Sequence, residues 1–269
     1  MKRTVIISKM PEKRFSFLNN LSDEDRILLS NIVERAVASR EKRQDKYSFF
    51  LDERQQILCK SVLDSEKLDN YIFWGGYDDA QRKMIGLFPD KKSVRTEGFP
   101  IKSICFTYRS GKRLCHRDFL GSLMSLQIER KCIGDIIIGE CKANVLVSES
   151  VADRVLYEID KIGRIGVKAE FGFDSSLSAE PELCEITTTV SSLRADCIVS
   201  AAVRTSRDKA AQMIKERGIV IDHFPFYKTD VQLKEGQTFS VRGCGKFILK
   251  SIDGVSKKDR LRITLCKYI

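Results

Sequence analysis

The chain has 269 residues, 42% of them apolar, and 47 Lys/Arg against 37 Asp/Glu give it a formal net charge of +10. That size and apolar share support folded cores and exclude a disordered chain. Nine scattered cysteines without a C-x-x-C pair, and histidines only at His116 and His223, read as reduced thiols and leave neither a metal nor a cofactor to expect. Near the start the apolar stretch is only Val5 to Ile7, too short for an export signal, and no segment approaches the roughly 20 apolar residues of a membrane span. The expectation is a cytoplasmic protein with no membrane or small-molecule partner.

The charge is unevenly placed. From Ser191 onward there are 16 Lys/Arg and 8 Asp/Glu, whereas the first 190 residues carry 31 and 29. A concentrated excess of this kind suits an anionic partner.

In chain order, Ser22 with Asp23, Glu24 and Asp25 signals a helix start, and Ile27, Leu28, Ile32, Ala36 and Val37 follow at helical spacing toward the basic run Arg40 to Lys46. Asp52 opens a second helix that carries Ile57, Leu58, Val62 and Leu63. Residues 1–68 are thus expected to form a helical region. YIFWGGY, 71–77, is an aromatic strand broken by Gly75 and Gly76; it reads first as a turn, with a phosphate cradle as the alternative.

The segment 69–178 alternates: strand 101–108, helix 116–128, strands 133–138 and 143–147, helix 150–162, strand 167–171. That order is the split βαβ of ferredoxin-like and RNA-recognition folds. The stacking aromatics of RNA-recognition domains are missing, because Phe106 and Tyr108 share a strand face with Ile104 and read as core. Together with the helical start and end, the fold class is α+β. A Gly-, Ser- and acid-rich stretch, 171–182, marks the next boundary, and 183–269 is the basic third. It begins with strand 184–190 and two short helices parted near Thr205, then strands 219–221 and 238–241.

Arg194 and Arg207 stand at or near the first turns of those helices, where the helix dipole disfavours a cation by about 0.3–1 kcal/mol. Ser206 can cap the second helix, yet its arginine is still misplaced unless an anion sits there. A phosphate would take backbone N–H bonds while the guanidinium supplied a forked pair. Lys209 and Lys215 extend the exposed face, and Arg242 and Lys246 complete the candidate RNA-binding set. A second candidate surface comprises Gly75, Gly76, Tyr77, Arg82, Lys83, His116 and Arg117.

SLRADCIVSAAVRTSRDKAAQMIKERGIVID followed by KEGQTFSVRGCGKF resembles an S4 domain, a small RNA-binding module, from Arg194 and Asp196 through Ser206, Arg207, Gly218 and Val220 to Gly236, Arg242 and Gly245. The resemblance implies two helices on a small sheet facing structured RNA. It departs at Ala195, at Asp222 where asparagine is common, and at Lys246, which keeps charge but loses the forked geometry of arginine. FWGGYDDAQRKM and HRDFLGSLMSLQIERKCIGDI, ahead of that module, resemble the YlmH family of bacterial RNA-binding proteins, with Gln127 in place of an expected glycine. The family likeness implies a non-catalytic role like that of Hsp15-type factors: binding ribosomal RNA of the large subunit, in contact with peptidyl-tRNA, in quality control of stalled translation.

Enzymatic readings find little. His116-Arg117-Asp118 matches a kinase catalytic tripeptide, but Leu123 occupies the place of the required asparagine and no glycine-rich loop precedes it. An S4-targeted RNA-modifying enzyme, of pseudouridine synthase or methyltransferase type, is the stronger alternative; the order of HRDF is wrong for the first, and Gly163, Gly166 and Gly172 are too irregular for the second. A DNA-binding cell-division factor rests on charge and on the gene neighbourhood of relatives alone.

Overall fold

A computed structural model describes residues 21–109, 114–177, 183–256 and 259–268. The stretch Val5 to Ile7 and the end of the segment 171–182 lie outside them. The chain divides into two compact units, Met1–Ala179 and Glu180–Ile269.

The first unit opens with helix α1 (Asp23–Lys42). Ser22 accepts from Asp25 N while Asp25 accepts from Ser22 N, the reciprocal capping box its sequence calls for. Helix α2 (Glu53–Ser65) starts the same way, on Asp52 and Gln55. Between and after the helices run three short strands, β1 (Lys46–Tyr47), β2 (Tyr71–Trp74) and β3 (Met84–Leu87), in the order β1-β3-β2. The boundary expected at residue 68 therefore falls inside one sheet, since Lys46–Tyr47 pairs across it with Gly86 and Leu87.

The rest of this unit is β4 (Ile101–Tyr108), α3 (His116–Ser125), β5 (Ile133–Ile138), β6 (Lys142–Ser148), α4 (Glu149–Glu158), β7 (Lys161–Ile162) and β8 (Ile165–Phe171). The antiparallel sheet has the order β5-β6-β4-β8-β7, so the two outer elements of the split βαβ flank the central β4–β6 pair, and β7 is an added edge. Ile104, Phe106 and Tyr108 are buried with Phe119, Leu123 and Val155. Two helices end earlier than periodicity indicates. α4 stops at Glu158 because Lys161–Ile162 turns back to pair with Ile165–Gly166. α3 stops at Ser125, and Gln127 takes φ 57°, left-handed backbone that suits glycine better.

Phe50 and Met84 pack with Ile137 and Leu146, so the helical start and the central sheet share a core. The contact needs Gly134, where a Cβ would meet the Phe50 ring at 2.7 Å.

The second unit is a six-stranded antiparallel sheet carrying two helices. Its elements are β9 (Leu183–Val190), α5 (Ala195–Val203), α6 (Arg207–Arg217), β10 (Ile219–Ile221), β11 (Phe224–Phe226), β12 (Thr238–Val241), β13 (Gly245–Val255) and β14 (Leu261–Tyr268), with strand order β11-β10-β12-β13-β14-β9. Ile198, Val199, Ala210 and Ile214 from the helices meet Phe239, Phe247, Leu249, Ile263 and Leu265 from the sheet. Phe239 and Phe247 stack with centroids 5.3 Å apart.

Candidate nucleic-acid interface

In the second unit the two misplaced arginines have a partner, and it is internal. Asp196, in the first turn of α5, is buried and accepts from its neighbour's backbone, Cys197 N, at 2.9 Å. Arg194 reaches it through Nε at 3.2 Å and Nη2 at 3.3 Å, and Arg207, at the start of α6, through Nε at 3.0 Å. The expectation that only a bound anion makes their placement favourable is thereby corrected. The acid that a helix N-terminus favours is supplied by α5, and it fixes both cations and ties the two helices together.

The clasp is unbalanced. One carboxylate faces two guanidiniums, whose side chains remain 34% and 51% exposed while that of Asp196 is 6% exposed. Burial pushes the Asp196 carboxyl up, but its bonds to Arg194 and Arg207 outweigh that and hold it below the usual carboxylate range; the same contact raises Arg194. Among the described residues Arg207 is engaged through Nε, while half of its side chain stays exposed. Ser206 caps α6 as expected, accepting from Lys209 N at 3.3 Å.

The other candidate cations of this unit fall into two groups. Lys209 is exposed on the first turn of α6, beside Arg207. Arg242 follows Val241, which pairs with Ile219 just beyond the C-terminal end of the helix. The 11 residues of α6 run about 16 Å from Arg207 to the end that leads into β10, the strand paired with β12. Lys215 and Lys246 belong to this far group, with Lys246 Nζ 4.9 Å above the Tyr268 ring. Asp222 has a structural part: in a left-handed turn at φ 43° it accepts from Thr238 N and from Gln237 Nε2.

The second candidate surface is largely turned inward. A Cβ on Gly75 would strike Ala80, and one on Gly76 (φ 100°) would strike Leu146, so both glycines permit a tight turn against the core. The loop already holds an anion: Asp135 accepts from Gln81 N at 2.6 Å, from Arg82 N at 3.0 Å and from the Tyr77 hydroxyl at 2.8 Å. A phosphate cradle at this turn is thus corrected to a carboxylate-filled one. Burial, then the Asp135 charge, raises the Tyr77 phenol well above its ordinary range. Arg82 is also internal, donating to the carbonyls of Ile133, Phe50 and Arg130. Lys83 is half-buried and bridges to Leu51 through its backbone. His116 and Arg117 are exposed at the start of α3, where Asp118 bonds Cys115 N. Desolvation, then the Arg130 charge, holds the His116 imidazole below its ordinary range.

Asp196 and Asp135 are the organising residues that a search for cations passes over. For Asp196 there was a signal, an acid two residues after Arg194 in a first turn. For Asp135 there was none, because its partners lie more than fifty residues away in the chain.

Three comparisons place the chain. Residues 96–172 match the family model described as "Putative RNA-binding domain in YlmH". A Bacillus subtilis (strain 168) protein named "Ribosome-associated protein quality control protein P2" is 30% identical over 243 residues, covering 90% of this chain and 94% of that protein. A solved structure, "Cell division protein ylmH from Streptococcus pneumoniae", superposes with a TM-score of 0.50 at 22% identity over 58% of this chain and 94% of that one, a likeness of fold. The full-length relative and the matched domain agree: this chain belongs to the YlmH family.

Proposed function

We propose that this chain is a non-catalytic RNA-binding protein whose C-terminal unit is an S4 domain that grips structured RNA of the large ribosomal subunit during the rescue of stalled, peptidyl-tRNA-carrying subunits. The observation that carries the reading is the unbalanced clasp: a buried carboxylate holds one exposed and one half-buried guanidinium at one end of a helix pair. In the bound state the amines of Arg194 and Arg207 that Asp196 leaves free take phosphate oxygens, Lys209 adds a charge beside them, and Arg242, Lys215 and Lys246 meet the backbone toward the other end of α6. Two groups of cations held at a fixed spacing read the shape of folded RNA rather than its bases. The ribosome-linked name of the Bacillus subtilis relative and the matched RNA-binding family domain support the choice of partner. His116 and Arg117, at the start of α3, and Lys83, just before β3, form the second contact in this reading, in a cytoplasmic complex with the ribosome.

The test is sedimentation of the protein with purified large subunits. At low salt it co-sediments, and Arg207→Glu releases it. If about six phosphates are neutralised, affinity falls roughly a thousandfold between 50 and 200 mM salt. Free protein in both samples, or a flat salt response, defeats the reading. Loss of one modified ribosomal nucleotide in a deletion strain would instead make the protein an enzyme.

A further inference from the structure

The first unit contains a second concentration of positive charge, in a cavity. A hollow of about 400 Å³ opens between α1, the segment 48–52 and the turn before β5. Arg82 and Arg130 form one wall, Arg35 and Lys131 stand at its edge, and Asp52 is the one acid among the lining residues. Leu28 and Ile32 of α1 give it an apolar side. Phe49, 41% exposed, lies at the mouth with Lys131 Nζ 4.8 Å from its ring centre. A second hollow of similar volume shares Arg35, Ser48 and Phe49, so the ring is a ridge between two depressions.

The two guanidiniums need an explanation. Arg82 donates to three carbonyls, and Arg130 Nη1 donates to Ile133 O at 2.8 Å and Gly134 O at 3.3 Å. These bonds orient both groups without neutralising either. Among the described residues, neither has a carboxylate within ion-pair distance. Burial, then the charge of Arg82, pulls Arg130 down to about 10, and burial also lowers Arg82. The charges of Asp52 and Asp135 offset this only in part and neither carboxylate pairs directly with a guanidinium, so an anion entering the cavity relieves two half-buried like charges. An aromatic ring at the mouth of an anion site, between an apolar wall and flanking lysine and arginine, fits a flat heterocycle joined to a phosphate.

We propose that this cavity binds one unstacked nucleotide of single-stranded RNA, with the base on Phe49 and the phosphate toward Arg130 and Lys131. The proposal rests on the RNA-binding reading of the chain but concerns a different surface, with a different ligand form, from the helix pair of the C-terminal unit. Stacking on one aromatic ring contributes about five- to a hundredfold in affinity.

The experiment uses the full chain and a labelled seven-nucleotide oligouridine containing 5-bromouridine. Ultraviolet crosslinking and tryptic mapping are expected to place the adduct in the peptide 47–54, which spans Phe49. Titration by anisotropy should show about tenfold weaker binding for Phe49→Ala and near-normal binding for Phe49→Trp, which keeps a stacking face. Arg207→Glu leaves this adduct in place, so loss of ribosome binding in that variant and loss of the crosslink in Phe49→Ala report on separate sites. Adducts confined to residues 183–268, or unchanged affinity in Phe49→Ala, overturn the proposal. Displacement of the oligomer by uridine monophosphate at an equal concentration also overturns it, since the cavity would then be a site for free nucleotide.

Discussion

Each unit places an acidic residue in the first turn of a helix and closes an arginine onto it, but the two arrangements differ in balance. In the first unit Asp25 faces Arg54 alone, through two bonds of 2.8 and 2.7 Å, with side-chain exposures of 6% and 25%. The pair caps α1, ties it to α2 and is electrically complete. In the second unit Asp196 is equally buried but holds two arginines that remain open to solvent. The same local device thus closes a fold in one place and, with one more cation, presents charge in the other.

The comparison predicts its largest effect on stability at the balanced pair. Asp25→Ala removes two bonds from Arg54 and the bond that Ser22 N donates at the start of α1, and should cost about 1.5–3 kcal/mol, read as a lower urea midpoint. Oligonucleotide affinity of the folded fraction should not change. If affinity falls as well, the two clamps are not separate in function.

Acid should act on both. The Asp25 carboxyl is lowered chiefly by its bond to Arg54, and that of Asp196 by its two arginines against the opposing effect of burial. A lowered carboxyl stabilises the fold at pH values above the unfolded pKa, about 3.9, and the contribution is lost as pH falls through the folded value. Stability should therefore decline steeply below about pH 4. The double variant Asp25→Asn, Asp196→Asn should be less stable at neutral pH with a flatter acid limb, and parallel limbs would show that other groups control it.

Smaller changes sharpen the contrast. Ser206→Ala removes the cap of α6 and should cost about 1 kcal/mol by thermal or urea unfolding. Gln127→Gly, at left-handed backbone after α3, should stabilise by up to about 1 kcal/mol. A loss on that substitution would indicate a side-chain contact there that outweighs backbone relief.

What the sequence made legible was mostly local. The boxes at Ser22–Asp25 and Asp52–Gln55, the strand 101–108 and both C-terminal helices follow from caps and periodicity. β3 was missed because Met84–Leu87 is buried at every position and shows no alternation. The β13–β14 hairpin was missed because register shifts after Leu249 and Ile252 break its period of two. At the candidate site the cations were visible one by one, while the carboxylate organising them acts between helices: Asp196 and Arg207 are eleven residues apart and only the fold makes them neighbours.

The most direct test of the clasp is ribosomal RNA affinity against salt for Asp196→Asn. That change makes the protein more positive by one charge, so attraction by net charge alone predicts tighter binding. If Asp196 holds Arg194 and Arg207 in position for phosphates, binding should instead weaken and the slope of log K against log salt should become shallower, by about one for each arginine lost from contact. Tighter binding with an equal or steeper slope would contradict the account.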